Sequence, residues 1–148
     1  MKMVIQRAKK SSVTVEGVVV GEIDHGLVVF VCFENGDNEE IIDQAVYKVV
    51  NLRIFEDEKE KMMFNVSQVQ GQILSISQFT LSWDGSRGHR PSFDRSMNPS
   101  EAKMMYAIFN KKLKELVPTA VGKFGANMMV SVQNDGPVTF TLAFPSQN

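Results

Sequence analysis

Two short runs hold the side chains best suited to chemistry: Ser77-Gln78-Phe79-Thr80 and Asn134-Asp135-Gly136-Pro137-Val138-Thr139. Each sets small hydroxyl and amide groups where an apolar run ends. Strands avoid Pro because it cannot donate to the ladder. Gly136-Pro137, between two apolar runs, therefore predicts backbone turned outward with its carbonyl oxygens presented. Backbone dipoles and hydroxyls can hold an oxyanion and orient an already activated bond such as an ester. They do not suit a stable amide, whose leaving group needs an acid. Thr80 is a candidate nucleophile, but no neighbouring base in sequence would activate it.

Other chemistries find less support. A Ser-His-Asp triad needs a His that meets a Ser, and the two His are His25, in a predicted turn, and His89, in a basic loop. No Gly-x-Ser-x-Gly elbow is present. Cys32 lies inside an apolar run and reads as inert core. Two His and one Cys at no recognised ligand spacing argue against zinc. Neither Gly-rich phosphate-cradling signature occurs. No metal and no cofactor is expected.

The elements that must position the two runs can be read from periodicity. Met3 to Ala8, Ser12 to Val15 and Val18 to Ile23 read as strands, the last two as a hairpin turning at Glu16-Gly17. After a turn at Asp24-His25-Gly26, the continuous apolar run Leu27 to Phe33 predicts a strand buried on both faces. Asp37 with Glu40 has capping-box spacing, followed by Ile41, Ala45, Val49 and Leu52 at helical spacing; Leu52 to Phe55 then predicts a strand. Asp57 to Lys61 is a charged hairpin tip. Gln72 to Gln78 is the strand that delivers Ser77-Gln78-Phe79-Thr80. Trp83 to Ser96 is a long loop, of the kind that tends to be functional, and Arg87, His89, Arg90 and Arg95 make it the densest basic cluster. Asn98, Pro99 and Glu101 open a second helix with an apolar stripe of Ala102, Met105, Phe109, Leu113 and Leu116, closed by Pro118. Met128 to Val132 and Val138 to Phe144 are the last strands. The mixture predicts a single α+β domain over residues 1–148, mainly antiparallel sheet with two helices.

Composition sets the outer bounds. The 148 residues are 43% apolar and 22% charged with a net charge of −1, ordinary for a globular chain with a real core. No global basic field draws in a polyanion, so any such contact needs a local patch. One cysteine excludes an internal disulfide and fits a reducing compartment. No run approaches the roughly 20 apolar residues of a membrane span. The polar start Met-Lys-Met-Val-Ile-Gln-Arg does not read as a secretory signal. The expectation is a cytoplasmic protein with no membrane contact.

Both runs match signatures of a known family. The chain resembles the D-aminoacyl-tRNA deacylases over essentially its whole length, with Ser77-Gln78-Phe79-Thr80-Leu81 and Asn134 to Thr139 in the right order. Supporting matches are Val4-Ile5-Gln6-Arg7, Asn51-Leu52-Arg53-Ile54-Phe55, Arg90-Pro91-Ser92-Phe93 and Phe124-Gly125-Ala126. The resemblance implies a barrel-like deacylase fold, a homodimer with active sites at the interface, and tRNA bound by its 3′ aminoacyl end. It implies hydrolysis of the D-aminoacyl ester, and of glycyl-tRNA. Ser77, Gln78, Phe79 and Thr80 would line the catalytic pocket for the terminal adenosine and the ester. Gly136 and Pro137, joined by a cis bond, would reach into the other subunit's site and exclude L-aminoacyl groups. Asn134, Thr139 and Arg7 complete the substrate-binding set, with Arg7 bracing the loop from within. The resemblance also implies that the 2′-hydroxyl of the terminal ribose acts in place of a protein nucleophile, which agrees with the lack of a neighbouring base in sequence.

Two other readings stand beside this one. A non-catalytic module could hold the tRNA acceptor end in the same pocket, and a hydrolase could use Cys32 on a thioester. Lys111, Lys112 and Lys114 read as a solvated helix face.

Overall fold

The computed structural model describes residues 1–86 and 88–145. Arg87, one member of the expected basic cluster, lies outside the described residues. The elements follow the chain as β1 (Lys2–Ala8), β2 (Ser11–Val15), β3 (Val18–Ile23), β4 (Gly26–Cys32), α1 (Glu39–Asn51), β5 (Phe55–Glu56), β6 (Met62–Phe64) and β7 (Gln72–Ser77). A 3-10 turn (Phe79–Ser82), α2 (Pro99–Leu116), β8 (Thr119–Val121), β9 (Met129–Ser131) and β10 (Asn134–Ala143) complete it.

A five-stranded sheet runs β10-β1-β4-β7-β8, and a three-stranded sheet runs β3-β2-β9. β4 is central and buried nearly throughout, as its unbroken apolar run predicts. Successive side chains alternate between its faces. Leu27, Val29 and Val31 join the core that includes Ile42, Val49, Phe109 and Leu113 of the helices. Val28 joins Val13, Leu74 and Ile76 on the other side, beneath the small sheet. Each fully buried side chain of this size contributes about 1.5–3 kcal/mol. Most pairings are antiparallel, while β4–β7 and β7–β8 are parallel. At the start of β4 the backbones close tightly: Gly26 has φ +140°, and a Cβ there would lie 1.9 Å from Gln72 O.

Several expectations meet a different outcome. Asp37 does not cap α1. Its Oδ1 accepts from the Met1 ammonium at 2.7 Å and its Oδ2 from Glu34 N–H. Asn38 caps the helix, accepting from Ile41 N–H at 3.0 Å. A charge 36 residues away outcompetes the local capping spacing, because a buried ammonium needs an anionic partner. The predicted Leu52 to Phe55 strand contracts to the two-residue β5, paired with β6 around the Asp57 tip, where Asp57 Oδ1 accepts from Lys59 and Lys61 N–H. Leu116 is 58% exposed, and the stripe of α2 is closed by Tyr106 and Asn110. Tyr106 Oη donates to Ser75 O at 2.8 Å. Lys112 is not simply solvated: it bridges to Glu39 at 2.9 Å and to Asp43, tying α2 to α1.

Candidate functional site

Strand β7 ends where the predicted site begins. Ser77 pairs with Val31 in the ladder, and Gln78 N–H donates to Val31 O at 2.8 Å. The chain then leaves the sheet as the 3-10 turn, opened by Phe79 and Thr80 with no side chain capping it. Gln78 Nε2 donates to Thr80 Oγ1 at 2.6 Å, fixing both side chains across the start of the turn.

Beside this turn lies a cavity of about 430 Å³ whose walls include Ser77, Gln78, Phe79, Phe93, Phe124 and Gly125. Its lining is aromatic and aliphatic with a few polar groups, the pattern of a small-molecule or nucleoside pocket. Phe79 and Phe93 meet edge to face with centroids 5.0 Å apart, an arrangement favoured by ring quadrupoles. Thr80 is exposed at the turn, adjoining the cavity through Gln78.

Cys32 also lines this cavity, which its sequence context did not foretell. Its thiol donates to Phe79 O at 3.4 Å, and burial, reinforced by the Glu34 carboxylate, pushes its pKa up to about 11. A thiol held protonated is a poor nucleophile. His25 Nε2 lies 3.0 Å from Val69 O, beside the opposite end of β4, so neither it nor Cys32 supplies a base here. Among the described residues no group of three metal-ligating side chains converges.

The second run forms the start of β10. Gly136-Pro137 is cis, as the family resemblance implies. Both residues are exposed. Gly136 has φ +139°, and a Cβ there would meet Val138 Cγ2 at 2.6 Å and Val138 N at 2.7 Å, so this backbone requires glycine. The Asn134 side chain clasps the loop internally: its Oδ1 accepts from Val138 N–H at 2.9 Å and its Nδ2 donates to Thr139 Oγ1 at 2.7 Å. Beneath it lies Arg7, only 6% exposed. Arg7 Nε donates to Asp135 O at 3.1 Å and Nη1 to Ile54 O at 2.8 Å, while Glu56 balances its charge.

The structure therefore groups the nine predicted site residues in two places. Lys2 pairs with Cys32, next to the turn, and Ala8 pairs with Asn134, next to the Gly-Pro loop. The first motif thus sits toward the Lys2 end of β1 and the second toward its Ala8 end, with Thr139 opposite Gln6; the ends of that strand are roughly 20 Å apart at about 3.3 Å per residue.

The basic loop is less cationic than its composition suggests. Arg95 lies 3.7 Å from Glu34 and 3.9 Å from Asp84, while His89 and Arg90 are exposed. Among the described residues, no helix is long and apolar enough to cross a membrane.

Comparisons with known proteins agree with this picture. A family model described as D-Tyr-tRNA(Tyr) deacylase matches residues 4–143. A D-aminoacyl-tRNA deacylase of Brevibacillus brevis is 49% identical over 143 residues, covering 96% of this chain and 99% of that protein. A solved structure titled c-Myc DNA Unwinding Element Binding Protein superposes with TM-score 0.93 at 38% identity, covering 98% of this chain and 99% of the other. Another, titled as a probable eukaryotic D-amino acid tRNA deacylase, gives TM-score 0.81 at 16% identity over 95% and 97% of the two chains, a likeness of fold alone.

Proposed function

This chain belongs to the D-Tyr-tRNA(Tyr) deacylase family and hydrolyses D-aminoacyl-tRNA; from that premise we propose how its residues divide the work. The carrying observation is the separation of the two motifs along β1. Neither makes a complete site within one protomer. A homodimer that brings the exposed Gly136-Pro137 of one copy to the Ser77–Thr80 turn of the other unites them.

In that arrangement the terminal adenosine occupies the aromatic cavity whose wall includes the Phe79–Phe93 pair. The ester carbonyl lies over the start of the 3-10 turn, where the uncapped N–H groups of Phe79 and Thr80 can meet a developing oxyanion. With Cys32 protonated and no His beside the cavity, the proton relay falls to the substrate's own 2′-hydroxyl. The Gln78–Thr80 pair orients that hydroxyl and the carbonyl.

Chirality is read by the main-chain oxygens of Gly136 and Pro137. They accept from the substrate ammonium and leave no space for an L side chain, while a D side chain points away. Glycine has nothing to exclude, so glycyl-tRNA is cleaved too. Asn134, Thr139 and Arg7 hold these oxygens in place.

The test is release of amino acid from D-tyrosyl-tRNA and L-tyrosyl-tRNA by purified protein. Rapid release from the D form alone is expected. Equal rates for both, or none for the D form, would defeat the proposal, and tRNA binding without release would favour an acceptor-end binding module.

A further inference from the structure

A second cavity, of about 310 Å³, lies across the 92–96 segment from the first, and its lining is evenly polar and apolar where the first is mainly apolar. The two share a wall. In the 92–96 segment Phe93 and Ser96 face the aromatic cavity, whereas Ser92, Asp94 and Arg95 face the second one. Phe79 of the 3-10 turn borders the first and Ser82 the second. Trp83 stands at the second cavity, partly exposed, with its indole N–H donating to Ser86 O at 3.4 Å. Asp84 and Arg95 lie side by side, Nη1 to Oδ2 3.9 Å. Ser86 N–H donates to Asp84 Oδ1 at 2.9 Å, and hydrogen bonds from Ser86, side chain first and then backbone, hold that carboxyl below its usual range. It is therefore an ionised acceptor at neutral pH.

An aromatic ring beside an acceptor–donor pair is the equipment for a single unstacked base. A carboxylate beside a guanidinium matches the pairing edge of cytosine: N4–H₂ donates to the carboxylate, while N3 and O2 accept from the guanidinium. Uracil sets a carbonyl against the carboxylate. We propose that this cavity takes the cytosine preceding the terminal adenosine of tRNA, stacked on Trp83 and read by Asp84 and Arg95. The assignment rests on the deacylase reading above, because it extends the same substrate by one nucleotide from the adenosine cavity into its neighbour. Every tRNA ends in cytidine-cytidine-adenosine, so the site recognises the tRNA end generally.

Trp83 is the sole tryptophan of the chain, which makes its emission a reporter of this cavity. The unacylated dinucleotides CpA and UpA, and adenosine alone, are titrated into the purified protein. CpA quenches emission saturably and adenosine leaves it unchanged. UpA needs roughly tenfold more for half-saturation, the discrimination expected of one base-edge contact. In Asp84→Asn, an exposed position whose folding is checked by circular dichroism, the CpA-to-UpA ratio falls toward one. Unchanged emission with CpA, or equal half-saturation for CpA and UpA, overturns the proposal. Release of D-tyrosine from tRNA is scored separately, so the loss of this subsite and the loss of the deacylase reading give different results.

Discussion

The guanidinium of Arg7, buried at the end of β1, donates to the main-chain oxygen of Asp135, the residue immediately before Gly136-Pro137. One side chain thus connects β1 to the loop assigned to chiral selection. The same guanidinium donates to Ile54 O, so the loop is fixed against β5's approach as well as against β1.

Arg7→Lys keeps the charge and removes the fork. With a buried carbonyl left unpaired, stability falls by about 1–3 kcal/mol. We expect a lower thermal midpoint together with a reduced D-over-L rate ratio on tyrosyl-tRNA. A variant that melts early yet keeps full selectivity would separate Arg7 from the loop's function.

Gly136→Ala forces a Cβ to within 2.7 Å of Val138 and imposes φ +139° on a residue that resists it. Such backbone costs about 1–3 kcal/mol, and the loop must shift to relieve it. The expected outcome is loss of D-over-L discrimination, or loss of folding seen by circular dichroism. A folded variant with unaltered discrimination counts against the assignment of the gate.

Thr80→Ala removes the acceptor of the Gln78 amide. If the turn orients the reacting ester, kcat drops by roughly 10- to 100-fold, the scale of one or two hydrogen bonds, while KM changes little. Steady-state kinetics on D-tyrosyl-tRNA measures both. A rise in KM at constant kcat would instead make Thr80 a binding residue.

Cys32→Ser should leave deacylation nearly intact, because a thiol whose pKa is pushed up to about 11 stays protonated and is not the nucleophile. The raised value also fixes a sign. The folded state holds this proton more tightly than the unfolded chain, whose thiol ionises near the ordinary value of 9.0. The stabilisation is therefore complete below pH 9 and is lost as pH rises toward 11. Urea unfolding of the wild type and Cys32→Ser across that range should show a steeper decline for the wild type. Parallel curves would refute the coupling.

How much of this was legible beforehand depended on range. Helix α2 was readable because its signals are local: Asn98 caps by accepting from Ser100 N–H, Pro99 sits at the first position, and the chain leaves the helix just before Pro118. The Asp57 tip was readable for the same reason. β8 was missed because three residues after a proline carry no periodicity, and their strand character comes only from lying parallel to β7. The cap of α1 was misassigned because the decisive charge is the Met1 ammonium, 36 residues before Asp37.

The residue types of the two motifs and the family were determined by sequence alone, since composition and ordered short motifs carry them. Only the tertiary structure decided that the motifs stand toward opposite ends of one strand, that Cys32 faces the cavity, and that Arg95 is paired with acids rather than free. Those facts follow from strand register and long-range burial, which depend on where distant segments pack and have no signature within a window of neighbouring residues.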